Sequence, residues 1–324
     1  MWRKIEISHR TIMFTVFFLI FMGFLYVVRD IILMLFVALL VMTMLEPLVN
    51  KLTAVKIPRA LSVLLAYFLV IGVLGGVIAA ITPIVVEQTT SFINALPSYL
   101  INIGVTSEFS ERLLSSFIST LGNIPGEVVK LTVSIFSNVV NILAVLIFAF
   151  YMLLSRSKLE DQLGIFFGDD KKKELGKYIN NLETRLGGWA RGQMTLMFLV
   201  GLGTYIGFLI LGIPFALPLA ILAGIFEIIP IIGPLFAAIP AAIIGFGISS
   251  IVGFGVIAVA FLVQQLENYV LVPRIMEKSV GVSPIITLIS IAIGARLAGV
   301  VGVIISVPMV IALQVTVKQF LIKD

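Results

Sequence analysis

The sequence predicts an all-α polytopic membrane protein of about eight transmembrane helices, with broken or re-entrant helices in its C-terminal half. Three observations carry this expectation. Of 324 residues, 60% are hydrophobic and 12% charged, against roughly 25% charged in soluble domains. Mean hydropathy is +1.17. Between residues 192 and 317 only Glu227, Glu267, Arg274, Glu277, Lys278 and Arg296 carry charge. A span needs roughly 20 apolar residues, and backbone breaks at membrane depth persist only beside protein or water.

The elements follow in order. Residues 11–28 and 31–49 read as two spans joined by a tight turn at Arg29-Asp30, and 60–86 as a third, so that 1–86 form an N-terminal transmembrane unit. Residues 87–135 mix Ser, Thr and Asn with apolar pairs such as Leu113, Leu114, Phe117 and Ile118, punctuated by Pro97 and Pro125. They read as an external amphipathic segment. Residues 136–191 supply a fourth span, 136–154, and a charged helical loop, 156–191, with eight Lys/Arg and six Asp/Glu. Residues 192–324 are the C-terminal transmembrane region, with a span at 192–212 and pieces at 214–231, 234–248, 251–272 and 284–317. Basic residues stay on the cytoplasmic side. That places Arg3, Lys4, Arg10, residues 51–59, residues 156–191 and both termini in the cytoplasm. The net charge of +5 is thereby a topology signal, and no nucleic-acid partner is expected.

Composition excludes several chemistries. There is no cysteine, and the one histidine, His9, precedes the first span. No catalytic constellation, metal-ligand set or cofactor motif is present: there is no His-Glu-x-x-His, no histidine for intramembrane serine proteolysis and no Gly-rich phosphate loop. Asp169-Asp170 runs into three lysines with no second Asp cluster. The chain reads as a non-enzyme that does not use ATP directly.

Short, Pro/Gly-interrupted hydrophobic segments point to transport sites, and the surviving polar residues cluster there. Glu227-x-x-Pro230-x-x-Gly233-Pro234 sets a carboxylate one turn from a helix break, since proline lacks the N–H and clashes with the preceding turn. It is either a solute or ion site or a charge at a helix end beside a structural turn. Gln264, Gln265, Glu267 and Asn268 end an apolar run. The spacing of Gln264, Glu267 and Asn268 predicts one helical face, suited to a cation or small polar solute or to interhelical hydrogen bonding. Arg296 lies among small residues from Gly294 to Gly299 and Gly302; it is a counter-charge to Glu227 or Glu267, an anion site or an interface residue. Glu46-Pro47 and Arg191-Gly192-Gln193 are candidate gate or hinge positions, as are Gly299 and Gly302. Gly72-x-x-x-Gly76 and Gly203-x-x-x-Gly207 read as packing motifs.

The ordered set Glu227-x-x-Pro230-x-x-Gly233-Pro234, Gln264-Gln265-x-Glu267-Asn268 with Pro273, Gly281-Val-Ser-Pro284, Gly299-x-x-Gly302 and Val307-Pro308 resembles the autoinducer-2 exporter family of bacterial membrane permeases, the PerM-like permeases. The resemblance covers essentially the whole chain. It implies a multi-pass inner-membrane homo-oligomer that exports a small polar solute such as autoinducer-2, or exchanges sodium or lithium for protons. Glu227 and Glu267 suit ion coupling and the Gln/Asn face suits a neutral polyol. A reading of another class stays open: a membrane scaffold or sensor working through 87–135 and 156–191.

Overall fold

The computed structural model describes residues 9–104, 139–230, 232–276 and 283–320. Its helices are α1 (His9–Ala54), α2 (Arg59–Asn102), α3 (Val139–Ser155), α4 (Leu159–Phe167), α5 (Asp169–Ile210), α6 (Ala216–Phe226), α7 (Ile232–Ile248), α8 (Ser250–Leu266), α9 (Val272–Met276) and α10 (Pro284–Phe320). A short 3-10 turn, Arg156–Lys158, precedes α4, and a π-helical turn, Glu267–Leu271, joins α8 to α9. No strand occurs among the described residues. Six helical segments there are long and apolar enough to cross a bilayer, while α6 and α7 are shorter apolar helices. The protein is an all-α polytopic membrane protein.

Two N-terminal expectations are corrected. The turn at Arg29-Asp30 does not form: α1 runs unbroken through it for 46 residues, about 69 Å at the helical rise. Neither residue is a breaker. Arg29 pairs with Asp30 at 3.6 Å and lies over the Tyr26 ring at 4.4 Å, so the pair is satisfied along the helix. One continuous helix also removes the two-crossing argument that put Arg10 on the same side as residues 51–59. The second correction concerns residue 87, where no boundary falls. α2 continues to Asn102 and ends where Gly104 takes a positive φ of 86°, a conformation glycine adopts without strain. Ile93, Leu96 and Leu100 are buried, and Asn102 Nδ2 donates to the Gly247 carbonyl at 3.0 Å. The rest of the expected amphipathic segment, with Leu113 to Ile118 and Pro125, lies outside the described residues, as do Arg3, Lys4, Glu277, Lys278 and Gly281.

Long-range bonds tie the helices together around Arg59 and Arg156. Arg59 Nε donates to the Leu153 carbonyl at 2.8 Å, joining the start of α2 to the end of α3. Arg156 Nε donates to Glu183 at 2.7 Å, with Glu46 at 3.9 Å and Asn180 also in contact. Tyr178 and Thr316 share a hydrogen bond at 2.8 Å, tying α5 to the end of α10. Residues 156–191 are helical, as expected, but α5 carries them without interruption into the next span. Glu183 is 7% exposed, so a buried carboxylate depends on Arg156. Removing one partner of such a pair costs about 3 kcal/mol or more. Arg156→Met is therefore expected to lower unfolding stability by that order in detergent, and Arg156→Lys by less.

The C-terminal half contains two helical hairpins. α6 has 11 residues, about 16 Å, which falls well short of the roughly 30 Å hydrocarbon core. The chain then reverses into α7. A Cβ on Gly233 would lie 1.8 Å from the Phe226 carbonyl oxygen, so only glycine fits the return. The second hairpin is α10, whose helical course breaks at Ala298 and at Gly299 (φ 57°, ψ −137°). In a continuous helix residues 294 and 302 would stand about 12 Å apart. Instead a Cβ on Gly294 would lie 2.3 Å from the Gly302 carbonyl oxygen. The two arms fold back on each other at a glycine crossing.

Candidate functional site

α5 is the post on which the site is built. Gly201 and Gly224 bring α5 and α6 into backbone contact: a Cβ on Gly224 would lie 2.7 Å from the Met197 carbonyl. This close crossing sets Gln193 beneath the α6–α7 break, where its Nε2 donates to the Glu227 carbonyl at 2.7 Å. Gly207 and Gly203 face Val259 and Val263 of α8, so that expected packing motif joins α5 to α8. Gly72 and Gly76, in contrast, have nothing within 4 Å among the described residues.

At the break, Glu227 is 1% exposed and Glu267 4% exposed, and their carboxyl groups face each other. Gln264 Nε2 donates to Glu267 Oε2 at 2.9 Å. Among the described residues no hydrogen-bond donor reaches either Glu227 carboxyl oxygen. Two ionised carboxylates offer acceptors only, so their contact becomes a hydrogen bond only when one holds a proton. No arginine or lysine forms an ion pair with either among the described residues. Buried charge without a partner costs several kcal/mol. The geometry therefore favours a bound proton or small cation between the two groups. A cavity of about 20 Å³ adjoins Glu267, lined also by Val200, Thr204, Phe208, Pro234 and Gln264 among others. That is room for roughly one water-sized particle.

The other candidate residues divide. Pro230 and Pro234 flank the break, with Pro234 on the cavity wall. Gln265 is half-buried away from the cavity, and Asn268 is exposed. The expected shared face of Gln264, Glu267 and Asn268 thus keeps only its first two members, because the π-helical turn beginning at Glu267 changes the angular step per residue. Arg296 is exposed near the tip of the α10 hairpin. It is not a counter-charge to the glutamates here, and α10 does not line the cavity. Gly299 makes the reversal of that hairpin and Gly302 its crossing.

Arg191, Gly192 and Gln193 form a three-way joint. Arg191 Nη1 donates to the Thr43 carbonyl of α1 at 2.8 Å. Gly192 admits Met276 of α9, whose sulfur would lie 2.7 Å from a Cβ there. Gln193 holds the Glu227 carbonyl. Pro47 explains the first contact: lacking an N–H, it leaves the carbonyl four residues back, Thr43, without its helical donor, and Arg191 supplies one. Pro47 itself is exposed, and Glu46 is half-buried beside Arg156. Sequence reasoning noted both motifs but not their connection, although the four-residue offset from Pro47 was a usable signal. It also passed over Thr204. Arg191→Ala leaves a buried carbonyl unpaired and is expected to cost about 1–3 kcal/mol. Adding Pro47→Ala restores the donor, so the double variant should recover most of the loss in denaturant unfolding.

Long apolar helices, two helical hairpins and a buried carboxyl pair at a helix break are the parts of a polytopic membrane transport protein. The chain belongs to the family described as AI-2E family transporter, whose profile matches residues 15–322. Among similar proteins, "Putative transport protein YueF" of Bacillus subtilis (strain 168) is 33% identical over 283 residues, covering 81% of this chain and 76% of that protein. "Putative transport protein YrrI" of the same organism is 25% identical over 318 residues, covering 91% and 88%.

Proposed function

We propose that this chain is an ion-coupled secondary transporter of the bacterial inner membrane, with Glu227 and Glu267 as the pair that binds a proton or a monovalent cation. The observation that carries the reading is the burial of two facing carboxyls at a broken helix with no basic partner among the described residues. Family membership supports transport over a scaffold or sensor. The expected substrate is a small polar solute of the autoinducer-2 kind, moved outward without ATP. The cavity size supports the second reading, sodium or lithium/proton antiport, because about 20 Å³ admits an ion or a water but no organic solute. Export of a polyol requires the α6–α7 hairpin to move away from α5 and α8.

Residues 192–324 handle the ion and solute, and α1–α3 form the periphery. The periphery assembles with copies of the same chain through the open Gly72-Gly76 face of α2. The basic end, with Lys51, Arg59, Arg156 and Lys318, is cytoplasmic by the retention of positive charge. Proteoliposomes holding a pH dye test the proposal. Pulses of sodium or lithium are expected to dissipate a preset pH gradient, with autoinducer-2 competing or stimulating if it shares the path. A flat trace with every cation and with the solute would refute ion coupling.

A further inference from the structure

A second site lies at the basic end, apart from the carboxyl pair. Between α5 and the base of the α10 hairpin runs a groove of about 400 Å³, within the range of small-ligand sites. Arg185 of α5 and Lys318 of α10 line it; the other walls are mostly aliphatic, with Ile286 from the first arm of the hairpin and Leu313 and Val317 from the second. Arg185 Nε is engaged by Asn181 Oδ1 at 3.2 Å. That bond steadies the guanidinium and leaves its terminal N–H groups free for a bidentate acceptor. Among the described residues neither cation has an ion pair and no acid lines the groove. Glu183, two residues from Arg185, is turned to Arg156.

Ile286, Leu313 and Val317 are 43%, 62% and 40% exposed on a helix that reads as membrane-spanning. Exposed aliphatic side chains on such a helix suit acyl chains. We propose that this groove binds an anionic phospholipid of the cytoplasmic leaflet. Its phosphate sits between Arg185 and Lys318 and one acyl chain lies along Ile286, Leu313 and Val317. Basic pockets between helices at this leaflet are suited to acidic headgroups. Because the groove takes residues from α5 and from both hairpin arms, the lipid clamps the hairpin to α5 beside the Tyr178–Thr316 hydrogen bond.

The test is a thermal-unfolding titration of the detergent-purified full chain with phosphatidylglycerol, phosphatidylcholine or inorganic phosphate. Phosphatidylglycerol is expected to raise the midpoint saturably and phosphatidylcholine to leave it unchanged. Arg185→Gln/Lys318→Gln should weaken half-saturation by about thirtyfold. Lys171→Gln/Lys173→Gln, which removes the same charge from an exposed part of α5, should not. Leu313→Trp keeps both cations and fills the groove, so it should weaken lipid binding as well. If the double variant folds poorly, Lys318→Gln alone at the exposed rim carries the test, with about a fivefold loss. Equal titrations with the two lipids, or equal losses in both double variants, would overturn the site. A full shift with inorganic phosphate alone would overturn its assignment to lipid.

Discussion

Replacing Glu267 or Glu227 by glutamine is expected to abolish ion-driven flux while raising the stability of the folded chain. The two effects share one cause. Each variant removes a charge from a buried pair of like groups, which relieves repulsion and desolvation. Glu227→Gln also supplies an amide donor that Glu267 can accept, giving the pair the neutral-plus-charged pattern otherwise reached only by binding a proton or cation. The site is then permanently filled by a group that cannot leave. A gain of about 1 kcal/mol in denaturant unfolding, together with flux at the level of protein-free vesicles, is the expected signature. Lost flux with lost stability would mean that the variants damage the fold and would say nothing for an ion site. Retained flux in the double variant would remove the carboxyls from the mechanism.

Gly233→Ala and Gly294→Ala are expected to be among the most destabilising single substitutions in the C-terminal half. An alanine Cβ at Gly233 falls 1.8 Å from the Phe226 carbonyl oxygen, and one at Gly294 falls 2.3 Å from the Gly302 carbonyl oxygen. Backbone atoms cannot rotate aside as a side-chain end can, so each hairpin must open. A cost of about 3 kcal/mol or more follows, at the upper end of overpacking effects. Gly72→Ala and Gly76→Ala meet nothing within 4 Å among the described residues and serve as controls. Their effect is expected in the oligomeric state and not in the unfolding of the protomer. Detergent unfolding of the four variants, with size-exclusion light scattering for the last two, separates the cases. Near-wild-type stability of Gly233→Ala would contradict the hairpin geometry.

The legible parts of this fold were those written in strong local chemistry. Sparse charge announced the membrane, and Pro230, Gly233 and Pro234 marked a break that the structure places at residues 227–230. Gly299 and Gly302 marked the other. Less legible was everything decided by a partner far away in sequence. Arg29-Asp30 resembled a turn because two charges interrupt an apolar run, yet charges that pair with each other and with Tyr26 have no need to leave a helix. The polar stretch after residue 86 stays helical because Ile93, Leu96 and Leu100 find a wall on α7 and its neighbours. Asn268 left the predicted face through a single π-helical turn, which residue spacing at 3.6 per turn cannot anticipate. Arg296 looked like the natural partner for two buried acids, and charge balance alone favoured it. The reversal at Gly299 instead carries it to an exposed tip.

These observations meet in one physical picture. Arg191 fastens the peripheral α1 to α5, Gln193 fastens α5 to the α6–α7 break, and the break exposes Glu227 to Glu267. An ion bound between the carboxyls therefore changes the charge of a group held only two joints away from the periphery. The direct test is proton release on ion binding, read with a pH dye in weakly buffered detergent solution. The wild-type chain is expected to release about one proton per protomer on saturation with sodium or lithium, and neither Glu227→Gln nor Glu267→Gln should release any. Saturable ion binding with no proton released, or release undiminished in the double variant, would contradict the account.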